Sequence, residues 1–559
     1  MTLRLLGIAA LCLLSFTLHA APDRCSRPPP GSQVPEPADL RSENGELRVD
    51  LSLRNSRESD GTVRYCYVTP DGSVSPTLHL KRGDLLVLKL KNELQDFNPH
   101  AHSHGVPKKS GDPCASGMMS ITATNLHFHG LSLPPTCHAD EVIKTSVQPS
   151  DSPFEYRFKI PMEQPTGLYW YHPHIHGFSK IQVVGGASGA LIIEGLERAN
   201  RQLAGLPERV FVIRDQDLVN PDAPPSAREP VVPKMLIDRD GDSANNGTGF
   251  GRPAKDLSIN FVPVPYPDYP PAVIRMRPHE RQLWRVVNAA GITYLNLAVV
   301  QGHTPEKIGV VAIDGVPTNQ DGNPGDAIEW VDHIGLPPGA RAEFLVDAPD
   351  AGANDVLFVT RSVDTGAGGE NDPNRALAHI VASDGAPEPQ SALNATPQPL
   401  PPPSLPWLGN VAPVRVRRLY FSEKLTDPKN PNSATEFYIT VDGDKPQAFD
   451  PTSDTPNIVV RQGEVEDWII ENRSNELHAF HIHQIHFLLM DWLGMPVNER
   501  FLRDTVNVPY YNGRALSYPS VRLRMDFRDP AIVGTFVYHC HLLEHEDGGM
   551  MGLIRVEPK

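Results

Sequence analysis

The chain is short of what several large protein classes require. Apart from its first twenty residues it has no apolar run approaching the roughly 20 residues of a membrane helix, and no long segment has helical periodicity. Basic charge is in deficit: 51 Lys and Arg stand against 67 Asp and Glu, a net charge of -16 with no basic patch. That balance repels phosphate backbones and argues against nucleic-acid partners and anionic membranes. Methionine is scarce, at 11 residues. Cysteine is scarcer still, with six in 559, too few for a disulfide scaffold.

What is present is β patterning. Short alternating or β-branched runs recur at residues 86–90, 156–160, 190–194, 210–213, 284–287, 458–460 and 468–470, each bounded by Gly, Pro, Asn or Asp. They predict an all-β chain of sandwich domains. A charged turn leading into an apolar strand occurs three times, starting at Lys81, Arg277 and Arg461, so one kind of unit is used three times. The expected units are residues 36–198, 206–384 and 407–559, with a Pro-rich linker over 385–406. Residues 1–20 read as an export signal: Arg4, an apolar run over 5–18, then Ala20 before Ala21. No Arg pair precedes the run, which favours a general secretory route to the periplasm or the exterior.

Removal of the signal takes Cys12 and leaves five cysteines, an odd number. Sequence proximity pairs Cys25 with Cys66 and Cys114 with Cys137, leaving Cys540 for another task. The histidines suggest which task. Ten of 22 sit in four short clusters confined to the first and last thirds: His127 with His129; His172 with His174; His478, His481 and His483; and His539, His541 and His545 around Cys540. In a strand, H-x-H sends both imidazoles to one face. Eight convergent nitrogens, from His127, His129, His172, His174, His481, His483, His539 and His541, are too many for one metal and suit three ions held between the first and third units. Cys540 faces the other way, where His478, out of phase with His481, also points. Two His, one thiolate and a weak thioether make a blue-copper electron-transfer centre, and His545 with Met550 or Met551 completes that set, Met550 being preferred. Structural zinc sites are closed and Cys-rich, unlike this donor set.

With these motifs in order, the chain resembles a three-domain multicopper oxidase of the laccase-like kind over essentially its whole mature length. The resemblance implies three cupredoxin-like Greek-key β-sandwiches and four copper ions. It implies a type 1 copper on His478, Cys540, His545 and axial Met550, and a type 2 copper on His127 and His481. One type 3 copper would take His129, His172 and His541, the other His174, His483 and His539. The implied reaction oxidises a small-molecule reductant one electron at a time and reduces dioxygen to two waters. Glu546 and Asp140 are the expected proton-handling acids. Phe128 stands where Trp is common and Ala479 where Pro is common; neither is a ligand. An axial thioether lowers the type 1 potential, which points to electron-rich phenols as substrates.

His100, His102 and His104 form a loop run whose favoured reading is solvated, with a further metal as the alternative. His138, His176 and His486 lie near ligands as rim residues, and Asp238, Asp240 and Asp242 lack the distal Glu of a calcium loop. A copper nitrite reductase needs fewer histidines. A cuprous-ion oxidase is the closer competitor, but commonly has Met-rich segments, absent here beyond Met118-Met119 and Met550-Met551. A copper-binding cupredoxin protein without activity would have lost ligands. A monomer without a membrane span is expected.

Overall fold

The computed structural model describes residues 25–59, 61–97, 112–115, 117–224, 252–320, 328–389, 391, 393–398, 404–430 and 433–559. The signal segment 1–20, the loop histidines His100, His102 and His104, and Asp238, Asp240 and Asp242 lie outside the described residues.

The strands build three β-sandwiches, each with two sheets around its own apolar core. In the first, a five-stranded sheet that includes His127–His129, Gly167–His172 and Gly189–Ile193 faces a four-stranded sheet that includes Glu46–Arg57 and Leu85–Glu93. Eight- and six-stranded sheets form the second sandwich, six- and five-stranded sheets the third. The three largest buried clusters centre on residues such as Leu53 and Leu88, Trp284 and Phe344, and Trp468 and Leu523, one per sandwich. Among the described residues no helix is long and apolar enough to cross a membrane.

The recurrent charged turn has a structural meaning. In each sandwich it leads into a strand that pairs parallel with one neighbour and antiparallel with the other. Leu85–Glu93 lies between Glu46–Arg57 and Phe154–Lys159. Arg281–Asn288 lies between Glu208–Gln216 and Arg341–Asp347, and Val465–Asn472 between Arg415–Leu425 and Ser520–Asp526.

The sandwiches abut through small apolar seams. Leu168, Trp170 and Ile192 of the first pack on Val210, Val212 and Val287 of the second, while Val142 of the first meets Val537, Met551 and Leu553 of the third. In the Pro-rich interval, Leu393 is buried against Leu196, Leu203 and Leu345. Disulfides join Cys25 to Cys66 and Cys114 to Cys137, and Cys540 is free and buried.

Candidate metal centre

Strand pairing brings the histidine motifs together. His127–His129 runs antiparallel to Gly167–His172 with His127 opposite His172, and His478–Ile482 runs antiparallel to Gly534–Cys540 with His481 opposite His539. The Asn125 side chain fixes the segment beyond the second motif, accepting from the His174 N–H at 2.7 Å and donating to its carbonyl at 3.1 Å. Three trios result, each with ligand atoms within 4.8 Å of one another: His127, His129 and His481; His129, His172 and His541; His174, His483 and His539. The rings cross the boundary between the first and third sandwiches, His127 stacking on His483 at 3.8 Å and His129 on His481 at 3.9 Å.

One nitrogen of each of several rings is tied down while the other is left open. His127 Nδ1 donates to Asp140, His129 Nε2 to Asp504, His172 Nδ1 to the Pro173 carbonyl and His481 Nδ1 to the Asp504 carbonyl, at 2.8 to 3.1 Å. The opposite nitrogens, His127 Nε2, His129 Nδ1, His172 Nε2 and His481 Nε2, are buried without a hydrogen-bond partner among the described residues. In the third trio, His539 Nδ1 donates to the Cys540 carbonyl, and its Nε2 lies 3.4 Å from His174 Nε2 and 3.2 Å from His483 Nε2. Buried orphan nitrogens are costly, and an outer partner that fixes the ring is how proteins orient metal-binding imidazoles. Burial pushes His172 down to about 3 and His539 to about 4, so both are neutral, the form that binds metal. These residues therefore fit transition-metal ions.

A second donor set lies on the other face of the same strand. His478 Nδ1 is 3.5 Å and His545 Nδ1 3.8 Å from Cys540 Sγ, and the two nitrogens are 3.2 Å apart. His545 and Glu546 sit on a short helix, Leu543–Asp547. Met550 is buried in the same cluster as Cys540, its carbonyl accepting from the Cys540 N–H at 3.0 Å, whereas Met551 packs in the seam with Val142. Burial holds the Cys540 thiol well above its ordinary range, so its thiolate needs a bound cation.

The outer nitrogens of this pair meet acids that the sequence did not single out. His478 Nε2 is 2.7 Å from Ser474 Oγ and 3.1 Å from Glu423 Oε1, and His545 Nε2 is 3.4 Å from Glu476 Oε1. Burial and the neighbouring Glu423 charge raise the pKa of Glu476; at Glu423, burial is outweighed by the His478 hydrogen bond and charge, which lower it. Phe437 stacks on His545 at 4.3 Å.

Asp140 and Glu546 both reach the histidine cluster, in different ways. Asp140 accepts from His127 Nδ1, the Phe128 N–H and Gln484 Nε2. Burial still pushes it up to about 8. Glu546 lies 3.6 Å from His174 Nε2 and 3.5 Å from His539 Nδ1, with neither oxygen in a hydrogen bond of good geometry. Burial and the adjacent Asp547 raise its pKa well above 4.5.

The middle sandwich has no ligand motif, yet it reaches the cluster. Arg341 binds Asp504 through two bonds of 2.7 and 2.6 Å, and Asp314 accepts from the Asp504 and Thr505 N–H groups at 3.2 Å. Gly339 has φ +89°, and a Cβ there would lie 2.8 Å from His541 Cδ2, so only glycine lets this backbone approach so closely. Of the rim histidines, His486 is buried 3.6 Å from Asp504, His138 bonds the Glu155 carbonyl at 2.6 Å, and His176 meets Phe449 edge-on.

Comparison with known proteins identifies the family. Multicopper oxidase family domains match residues 118–198, 216–384 and 425–559, together more than half of the chain. Among curated relatives, a multicopper oxidase of Staphylococcus aureus is 23% identical over 493 residues, covering 86% of this chain and 82% of that protein. A laccase of Haloferax volcanii is 26% identical over 510 residues, 86% of this chain and 76% of the other. Among solved structures, the McoA multicopper oxidase 2F4 variant of Aquifex aeolicus superposes with a TM-score of 0.64 at 20% identity, covering 94% and 99% of the two chains. A multicopper oxidase of Campylobacter jejuni described as a metallo-oxidase gives 0.64 at 23% identity, covering 96% and 97%. These structures share the fold, and the three matched domains set the assignment: the chain belongs to the multicopper oxidase family and is a copper-dependent oxidoreductase.

Proposed function

We propose that the chain holds four copper ions and oxidises small, electron-rich aromatic reductants, with phenols as the leading class. In this reading His478, Cys540, His545 and Met550 would hold the type 1 ion, and His127 and His481 the type 2 ion. His129, His172 and His541 bind one type 3 ion, and His174, His483 and His539 the other. The observation that carries the reading is the set of orphaned imidazole nitrogens facing one another on one side of a strand whose other side presents Cys540. Bound copper would supply one-electron oxidation at the thiolate site and reduction of dioxygen to water at the three-ion site.

The chain's own residues do the rest. Cys540 is bonded through the backbone to His539 and His541, so the two sites share a short covalent path. A phenol that loses an electron also releases a proton, and Glu423, kept ionised against the outer nitrogen of His478, is placed to accept it, with Glu476 beside His545 as its neighbour. Phe437, stacked on His545, offers an aromatic neighbour. Glu546 handles protons for water formation, and Asp140 fixes His127. The disulfides are compatible with export under the signal read at residues 1–20.

A second reading, a metal-ion reductant such as cuprous ion, draws on the same acids. Glu370, Glu423 and Glu544 all act on Glu476, an acidic surround that attracts cations. Oxygen uptake by the copper-loaded protein, with a phenol in one arm and cuprous ion in the other, separates the two. Faster uptake with the phenol is expected, and faster uptake with cuprous ion overturns that choice. Cys540→Ser is expected to lose the blue absorption and oxygen uptake with either reductant.

A further inference from the structure

Gln484 follows the cluster residue His483 with φ +60°, the left-handed region that favours glycine. Its side chain is buried, with 3% exposure, and its carbonyl Oε1 has no hydrogen-bond partner among the described residues. A strained backbone and an orphaned buried acceptor both disfavour glutamine here, and such local costs collect where the structure uses them. The compensation visible goes to one residue: Gln484 Nε2 donates to Asp140 Oδ2 at 2.5 Å and, more weakly, to the Asp140 carbonyl at 3.4 Å. In this orientation the amide NH2 group faces two oxygens of Asp140, both acceptors.

That bond closes a ring of contacts across the boundary between the first and third sandwiches. Asp140 accepts from His127 Nδ1 with both oxygens at 3.0 Å and from the Phe128 N–H at 2.9 Å. The His127 ring lies flat on the His483 ring, 3.8 Å away with 14° between planes, and His483 is bonded to Gln484. Domain 1 supplies Asp140 and His127, and domain 3 supplies His483 and Gln484. The remaining nitrogen of His127, Nε2, faces the cluster without a hydrogen-bond partner among the described residues.

We infer that Gln484 is a positioning residue: through Asp140 it fixes the rotation of His127 and the spacing of His127 against His483. The inference rests on the reading of His127 as a type 2 copper ligand. A glycine at this position would relieve the backbone while deleting the amide, so a merely structural role and a positioning role predict opposite results.

The experiment compares wild type with Gln484→Gly and Gln484→Ala as copper-loaded full-length proteins. It records copper content, thermal unfolding, the visible type 1 band, the electron paramagnetic resonance of the type 2 ion and steady-state oxygen uptake. In Gln484→Gly, thermal stability is expected to hold or rise and the type 1 band to stay unchanged. The type 2 hyperfine splitting is expected to shift and kcat to fall about tenfold with KM for the reductant unchanged, as when an outer partner of a ligand is lost. Gln484→Ala, which keeps the strained backbone, is expected to give the same spectral shift. In an Asp140→Asn background, Gln484→Gly is expected to add little, since its effect passes through Asp140. Wild-type type 2 resonance and kcat in Gln484→Gly would overturn the positioning role alone. A wild-type protein with four coppers and no type 2 signal would overturn the ligand reading and the inference with it.

Discussion

Asp140 and Glu546 show how two buried acids beside one histidine cluster come to differ. Asp140 is surrounded by donors and acts as a fixed acceptor, whereas Glu546, loosely held near His174 and His539, is free to exchange a proton. Glu546→Gln keeps the shape and removes the titratable group. Oxygen uptake is expected to fall by about a hundredfold or more, the range of lost general acid–base catalysis, with the visible type 1 band unchanged. The two adjacent methionines make a similar contrast. Met550 packs in the cluster of Cys540, and Met551 turns into the seam with Val142. Redox titration should show a raised type 1 potential in Met550→Leu, because the proposed thioether donor to copper is gone, and no change in Met551→Leu.

At the scale of strands, the grouping of the histidines was legible because its signal is local. The period of two in a β-strand puts His127 beside His129 and turns Cys540 away from His539 and His541, and sequence spacing alone carries that. Glu423, Arg341 and Asp504 left no such trace, since each reaches the site from a different part of the chain and an isolated acid or base in or beside a strand has no signature. Gln484 was equally silent, because its φ is a property of the folded turn. Outside the histidine clusters, His79 illustrates a second consequence of strand pairing. The parallel strands Asp39–Arg41, Thr77–Leu80 and Gly189–Ile193 bury it with Nε2 3.1 Å from Asp39 and Nδ1 3.5 Å from Glu194. Burial alone would lower its pKa, but the hydrogen bonds and charges of Asp39 and Glu194 outweigh burial and raise it above 6.5, even with Arg41 beside it. A raised folded value means the imidazolium contributes stability that is complete below pH 6.5 and is lost as pH rises through that value. Asp39 and Glu194, both lowered, lose their share only as pH falls from their ordinary values of 3.8 and 4.5. Thermal unfolding followed from pH 6 to 9 should therefore decline less in His79→Gln than in wild type, and parallel slopes would refute the assignment.

For the whole molecule, the question is what the middle sandwich does for a cluster to which it contributes no ligand. Arg341 and Asp504 are fully buried and joined by two bonds, and the same Asp504 oxygen that holds Arg341 Nη1 accepts from His129 Nε2 at 3.1 Å. One ion pair therefore ties the second sandwich to the third and to a histidine of the first. Removing one partner of such a pair leaves a buried charge uncompensated and costs about 3–5 kcal/mol, whereas an exposed pair contributes about 1 kcal/mol or less. Arg281 and Asp347 provide the control within the same sandwich, with exposures of 42% and 52%. Arg341→Met should lower the unfolding temperature far more than Arg281→Met. Because Asp504 would lose its anchor while remaining against His129, copper affinity at the proposed three-ion cluster should fall by about 10- to 100-fold in Arg341→Met, the range for lost outer partners, while the proposed type 1 band persists. Equal effects of the two arginine substitutions on copper retention during dialysis against a chelator would show that the middle sandwich only spaces its neighbours. A selective loss from the cluster in Arg341→Met would show that it helps to build the site.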